Sequence, residues 1–176
     1  MCEAECVFCA YCGSPLDSVP PTQCEACGEH LWNNPKPCGS AIVVHDGKAL
    51  LVKRARDPWG DHWDIPGGFC DEAELPADAA VREVTEETGL TGIVLTQYLG
   101  AWIDTYPDVR ADRGERPIES TVNHCYLARC ADPDRLRPDP IEVLTARFFR
   151  ADEIPQEVAF PHHIRPALAA WVQMTT

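Results

Sequence analysis

The stretch Pro76 to Gly89, "PADAAVREVTEETG", constrains this chain more than any other. Glu83, Glu86 and Glu87 fall within five positions. At about 100° per residue they share one arc of roughly 100° on a helix. Carboxylates so close raise one another's pKa unless positive charge sits among them. Pro76 suits a first turn and Gly89 suits a left-handed C-cap, so a helix bounded by these residues is expected. Ala77, Val81, Val84 and Thr88 lie on a neighbouring face, expected to pack on a sheet. On an arbitrary helix the acidic stripe would be a solvated face. Here a Gly-Gly turn, "PGGF", precedes it, with Glu74 in between. Hard oxygen ligands in such number suit Mg²⁺ or Mn²⁺. Arg82 is placed at i, i+4 to pair with Glu86 and fix it.

The rest of the chain alternates strand and helix signals. "AIVVHDGKALLVKR" reads as a hairpin, with strands Ala41 to Val44 and Ala49 to Arg54 around a turn at "HDGK". "IVLTQYLGAWI", "STVNHCYLARC" and "EVLTARFF" read as further strands, and "HHIRPALAAWVQM" as a C-terminal helix. "WNNPKPCGS" reads as a turn-rich joint and "DTYPDVRADRGERP" as a polar loop. This alternation predicts an α/β layered domain, and the hairpin start predicts a mixed sheet.

Cysteines cluster before the joint. "CAYCG" (Cys9, Cys12) and "CEACG" (Cys24, Cys27) are two C-x-x-C-G units separated by eleven residues. Tetrahedral zinc needs four ligands from two tight turns, and glycine after each pair relaxes the turn. A redox pair is the rival, but that wants a C-x-x-C beside a βαβ unit. Four thiolates leave no open coordination position, so the zinc is expected to be structural. Cys2 and Cys6 are expected as bystanders rather than competing ligands, and His30 is not expected to be a ligand; Cys38, Cys70, Cys125 and Cys130 are expected as small core or surface residues. The predicted organisation is a zinc ribbon over 1–36 and a second domain over 37–176.

With 28 acidic against 15 basic residues the formal charge is −13. That argues against a bare nucleic-acid binder, which needs a basic face to displace counterions. A phosphate-bearing small substrate remains open if metal ions screen the charge. No apolar run approaches the roughly 18 residues of a membrane span, and the start has no basic, apolar leader. A cytoplasmic protein with reduced thiols is expected.

From Gly68 the sequence reads "GFCDEAELPADAAVREVTEETGL". It resembles the Nudix box, Gly-x5-Glu-x7-Arg-Glu-U-x-Glu-Glu-x-Gly-U with U aliphatic. Gly68, Glu74, Arg82, Glu83, Val84, Glu86, Glu87, Gly89 and Leu90 all match. "WDIPGG" resembles the usual approach to that box. The knuckles with "NPKP" resemble the zinc-ribbon Nudix group that includes NADH pyrophosphatases. "ARFFRADEIP" and "AFPHHIRPALAAW" resemble the family's closing strand and helix.

The resemblance implies a Nudix fold, a mixed sheet between helices. It also implies cleavage of a nucleoside diphosphate linked to another group. Glu83, Glu86 and Glu87, with the Gly68 carbonyl, would hold Mg²⁺ or Mn²⁺; Arg82 and Glu74 would brace loop and helix. Glu142 aligns best with the glutamate before the family's closing strand and is the first candidate for general base; Glu119 is the second. NADH-cleaving members carry Ser-Gln-Pro-Trp-Pro-Phe-Pro after the box, where this chain reads "YLGAWIDTYPDV". Pro107 is a hint of ADP-ribose and Tyr106 of diadenosine polyphosphates. The expected substrate is ADP-ribose or a related nucleotide sugar. Alternatives are NAD(H), diadenosine polyphosphates, an RNA cap, or a non-catalytic nucleotide-sensing module. Arg54, Trp102, Tyr106 and Phe160 are candidate substrate contacts, with Phe69, Arg56 and Arg110 behind them. In relatives the ribbon supports the fold or a homodimer.

Overall fold

A computed structural model describes residues 7–106 and 119–175. The chain divides into two compact units, Met1–Asn34 and Pro35–Thr176.

In the first unit each knuckle closes the same way. Gly13 N–H donates to Cys9 O at 2.9 Å, and Gly28 N–H to Cys24 O at 2.8 Å. Both glycines hold positive φ, 71° and 79°, which an L side chain resists. Strands β1 (Thr22–Gln23) and β2 (His30–Leu31) pair antiparallel around the second knuckle. The apolar core here is small: Cys9, Cys24 and Leu31, with Leu16 against them.

The second unit is a three-layer α/β fold. Its strands are β3 (Lys36–His45), β4 (Lys48–Arg54), β5 (Trp63–Asp64), β6 (Gly67–Phe69), β7 (Val94–Tyr106), β8 (Glu119–Arg129) and β9 (Val143–Phe149). The main order is β5-β4-β3-β8-β7, with β6 paired to β3 and β9 to β4. β3 and β8 run parallel and the other pairs antiparallel, so the sheet is mixed, as expected. β3 is apolar on both faces because both are covered. Ala41 and Val43 face helix α1 (Pro76–Thr88) in a cluster with Leu50, Ala80 and Val84. Ile42 faces helix α2 (Pro161–Thr175) in a cluster with Leu51, Phe149, Ile164 and Trp171.

Two local expectations change. β3 starts at Lys36 rather than Ala41, inside the predicted joint, because Lys36 to Ser40 pair with Thr121 to Cys125 of β8. Proline and glycine there signal a turn locally, and long-range pairing overrides them. On α1 the buried residues are Ala79, Ala80, Val84 and Thr88, while Ala77 and Val81 are only half-buried. The packed face is therefore rotated from the predicted one. Gly89 caps α1 at φ 70°, its N–H donating to Thr85 O.

Candidate active site

Arg82 is the hub of the glutamate helix. Its Nε and Nη2 donate to both oxygens of Glu74, at 2.9 and 2.8 Å. Nη1 donates to Glu83 at 2.8 Å and to Glu86 at 3.0 Å, and Nη2 also reaches Phe69 O at 3.0 Å. Glu74 in turn accepts from Asp71 N at 2.9 Å. One guanidinium thus ties the loop after β6 onto α1. Hydrogen bonds from Arg82 hold the Glu74 carboxyl down at about 2. The expected pair with Glu86 forms, though the two-bond contact with Glu74 is the larger influence on Arg82.

Glycines bring backbone close to this helix. A Cβ on Gly39 would strike Pro76 O and Ala80 N of α1, so β3 and α1 meet backbone to backbone. A Cβ on Gly68 would strike the Glu83 carboxylate, which lies directly over that residue.

The glutamates meet different surroundings. Glu86 is exposed, while Glu83 is half-buried, and burial pushes its carboxyl up, opposed by Arg82 and aided by Glu86 and Glu142. Glu87 is pushed up further, first by burial and then by the charges of Asp64 and Glu83. It accepts from the Gly67 backbone, yet its Oε2 is buried without a partner among the described residues. Asp64, 6% exposed, accepts from Arg54 Nη1 at 3.0 Å and from Ile65 N at 2.8 Å. A cleft of about 490 Å³ opens here, lined by Gly68, Arg82, Glu83, Glu87, Asp64 and Glu142 among others. Carboxylates drawn out of water with an orphaned oxygen are suited to a bound cation. The donor set fits Mg²⁺ or Mn²⁺.

The remaining sequence candidates are distributed as follows. Arg54 and Arg56 line the cleft, but Arg54 is also committed to Asp64, to Pro58 O at 3.0 Å, and to the face of Phe160 at 5.1 Å. Phe160 lines the cleft while only 8% exposed, and Phe69 lines it while exposed. Trp102 is not among the cleft-lining residues; it packs against the α2-side core. Tyr106 ends β7 and Glu119 begins β8, and their side chains lie outside the described residues. So do Pro107, Arg110, Cys2 and Cys6. Sequence reasoning missed Asp64 and the buried polar residues Thr121, Asn123 and His163, which also line the cleft. His163 shares a four-residue spacing with the buried Ala167 and Trp171, and Asp64 lies between Trp63 and Ile65. A polar residue at an apolar-face position was the available signal.

In the first unit, Cys9, Cys12, Cys24 and Cys27 bring their Sγ atoms within 4.8 Å of one another. Cys9–Cys27 and Cys12–Cys24 both measure 3.7 Å. Zinc–sulfur bonds of about 2.3 Å at tetrahedral angles require sulfurs about 3.8 Å apart, so the four thiols fit zinc. His30 instead stacks on Trp32, ring centroids 6.0 Å apart.

The NUDIX domain family model matches residues 36–170. The chain belongs to the Nudix family. A Nudix hydrolase structure from Nitrosomonas europaea superposes with TM-score 0.73 at 27% identity, covering 94% of this chain and 90% of that one. An NAD-capped RNA hydrolase, NudC, of Klebsiella pneumoniae is 28% identical over 151 residues, 84% of this chain and 53% of the relative. The chain thus spans about half the length of the curated relatives it first matches. An ADP-ribose pyrophosphatase of Methanocaldococcus jannaschii is 40% identical over 60 residues, 34% of this chain and 36% of its own. The Nudix assignment agrees with the box at Gly68 to Leu90 and with the mixed sheet between two helices.

Proposed function

We propose that this chain is a divalent-metal-dependent pyrophosphohydrolase acting on a nucleoside diphosphate joined to another group, with ADP-ribose or a related nucleotide sugar as substrate. The observation that carries the reading is Glu87, whose buried oxygen, without a partner among the described residues, stands among Asp64 and Glu83 in an open cleft. Arg82 and Arg54 are committed to Glu83 and Asp64, which leaves Glu87 uncompensated, and a diphosphate brings more negative charge, so both need the same cations. Glu83, Glu86 and Glu87 with the Gly68 carbonyl are the proposed Mg²⁺ or Mn²⁺ ligands. When bound, such ions neutralise charge on the attacked phosphate and acidify a water.

The chain's own residues do the positioning. Arg82 and Glu74 hold the β6 loop on α1, so Gly68 and Glu83 stay in register. Arg54 restrains Asp64 at the cleft wall. Glu142, exposed at the cleft edge and close enough to Glu83 to raise its pKa, is the proposed general base, taking a proton from the attacking water. Cys9, Cys12, Cys24 and Cys27 are the proposed ligands of a structural zinc. The M. jannaschii relative supports ADP-ribose. The K. pneumoniae relative supports a second reading, cleavage of an NAD-type dinucleotide or cap, against which the formal charge of −13 stands where the substrate is long RNA.

The test is nucleotide release with Mg²⁺ or Mn²⁺ across ADP-ribose, NADH, NAD, diadenosine polyphosphates, FAD, nucleoside triphosphates and capped RNA. AMP released from ADP-ribose is expected, with Glu86→Gln about a hundredfold slower or worse in kcat and folded as wild type. Undiminished metal-dependent turnover in Glu86→Gln would remove that residue from the ligand set.

A further inference from the structure

The cleft extends across the sheet to a wall that is polar but not basic. Gly68 on β6 lies under Glu83; Cys38 of β3 pairs with Phe69 of β6 on one side and Asn123 of β8 on the other. At about 4.8 Å per strand, Asn123 sits about 10 Å from β6. Asn123 and Thr121 are buried, and Asn123 Nδ2 donates to Thr121 Oγ1 at 2.9 Å. Facing the same cleft from α2 is His163, 5% exposed. Both its ring nitrogens are buried, and neither has a hydrogen-bond partner among the described residues.

That arrangement is costly without a ligand. A neutral imidazole carries one donor and one acceptor, and a buried group left unpaired costs free energy that an apolar side chain would not. The backbone beneath it is clamped. His163 N donates to Asp104 Oδ2 at 2.9 Å, and Asp104 Oδ1 is held by Thr105 N at 2.7 Å. The imidazole is thus a hydrogen-bonding group carried on a held backbone at the cleft wall.

We propose that His163, with Asn123 and Thr121, reads the nucleobase of the substrate. This rests on the nucleotide reading above and assigns the part of the substrate that this wall touches. Burial holds the imidazole down at about 4, so it is neutral at pH 7 and offers a phosphate no charge. What imidazole and amide offer together is donors and acceptors. Nucleobases differ from one another in that currency, and a site built to pair with one set rejects a base that leaves it unpaired.

The experiment compares wild type, His163→Leu and His163→Gln on diphosphate sugars that differ only in adenine, guanine, cytosine or uracil. A 2′-deoxy analogue of the preferred one is added. Wild type is expected to prefer one base, adenine if ADP-ribose is the substrate, by about tenfold or more in kcat/KM. His163→Leu should lose that preference by about ten- to a hundredfold while melting no lower than wild type, since it removes an unpaired polar group. His163→Gln should retain part of it. A base preference unchanged in His163→Leu, a wild type without preference, or a loss that tracks the 2′-hydroxyl would overturn the proposal. Should wild type hydrolyse none of these compounds with Mg²⁺, the pyrophosphohydrolase reading fails instead. Melting shifts with AMP, GMP, CMP and UMP then decide this one. A base-dependent shift lost in His163→Leu supports it, and a base-independent shift or no shift overturns it.

Discussion

At the scale of single residues, burial does most of the electrostatic work. His163 titrates near 6.5 when unfolded and at about 4 when folded, because burial disfavours its charged form. Below 6.5 the unfolded chain takes up a proton that the folded chain refuses. The stability is therefore fully present above pH 6.5 and falls as pH drops towards 4, by up to about 3 kcal/mol. His163→Leu should lose that slope, read as urea midpoints at successive pH values between 4 and 7. Unchanged acid sensitivity in the variant would place the imidazole in solvent. The box residues were legible because their spacing alone puts Glu83, Glu86 and Glu87 on one arc. That Arg82 serves Glu74 before Glu86 was not, since Glu74 lies off the helix and comes within reach only when the loop folds back. His163 escaped because its backbone partner, Asp104, lies far away in the chain, and Asp64 because its two-residue strand is defined by pairing with β4.

At the scale of elements, α1 and β3 approach each other through Gly39. A methyl group there meets helix backbone, which cannot rotate away as a side chain can. Gly39→Ala is expected to cost about 3 kcal/mol, at the upper end of overpacking effects, or to prevent folding. A thermal melt checks this, and a melting temperature within a degree of wild type would contradict the close contact. The hairpin β3–β4, the box helix and the closing helix were readable from periodicity. The first residues of β3 were not, because Pro37 and Gly39 carry turn chemistry while their strand state comes from β6 and β8. The packed face of α1 was displaced for a related reason. Ala80, whose backbone lies against Gly39, packs in the sheet-side cluster at that close approach, and Ala79 beside it is buried.

At the scale of the whole molecule, the two units differ in how they are held. Residues 35–176 carry two apolar clusters of their own, one on each side of the sheet. Among the described residues the first unit has one small cluster, two of whose three buried members are zinc-ligand candidates. A core that small does not sustain a fold without a staple. Zinc chelation is therefore expected to make amide exchange over residues 7–34 fast while the larger unit keeps a cooperative melt. Slow exchange persisting there after complete chelation would dispose of the zinc assignment. None of the described helices is long and apolar enough to cross a membrane.

The parallel pairing of β3 with β8 bears on how the chain assembles. Lys36 to Val43 bond to Thr121 to Ala128, and Ala49 meets Phe149 through β4 and β9. The central strand acquires one neighbour at once through the hairpin, but the other only after most of the chain has been made. Closing so long a loop costs entropy before the contact repays it, which slows the search. Until β8 arrives, "AIVV" is an unpaired apolar edge, open to any other strand that meets it. The strand that anchors the finished site is thus exposed to aggregation while the chain is being made.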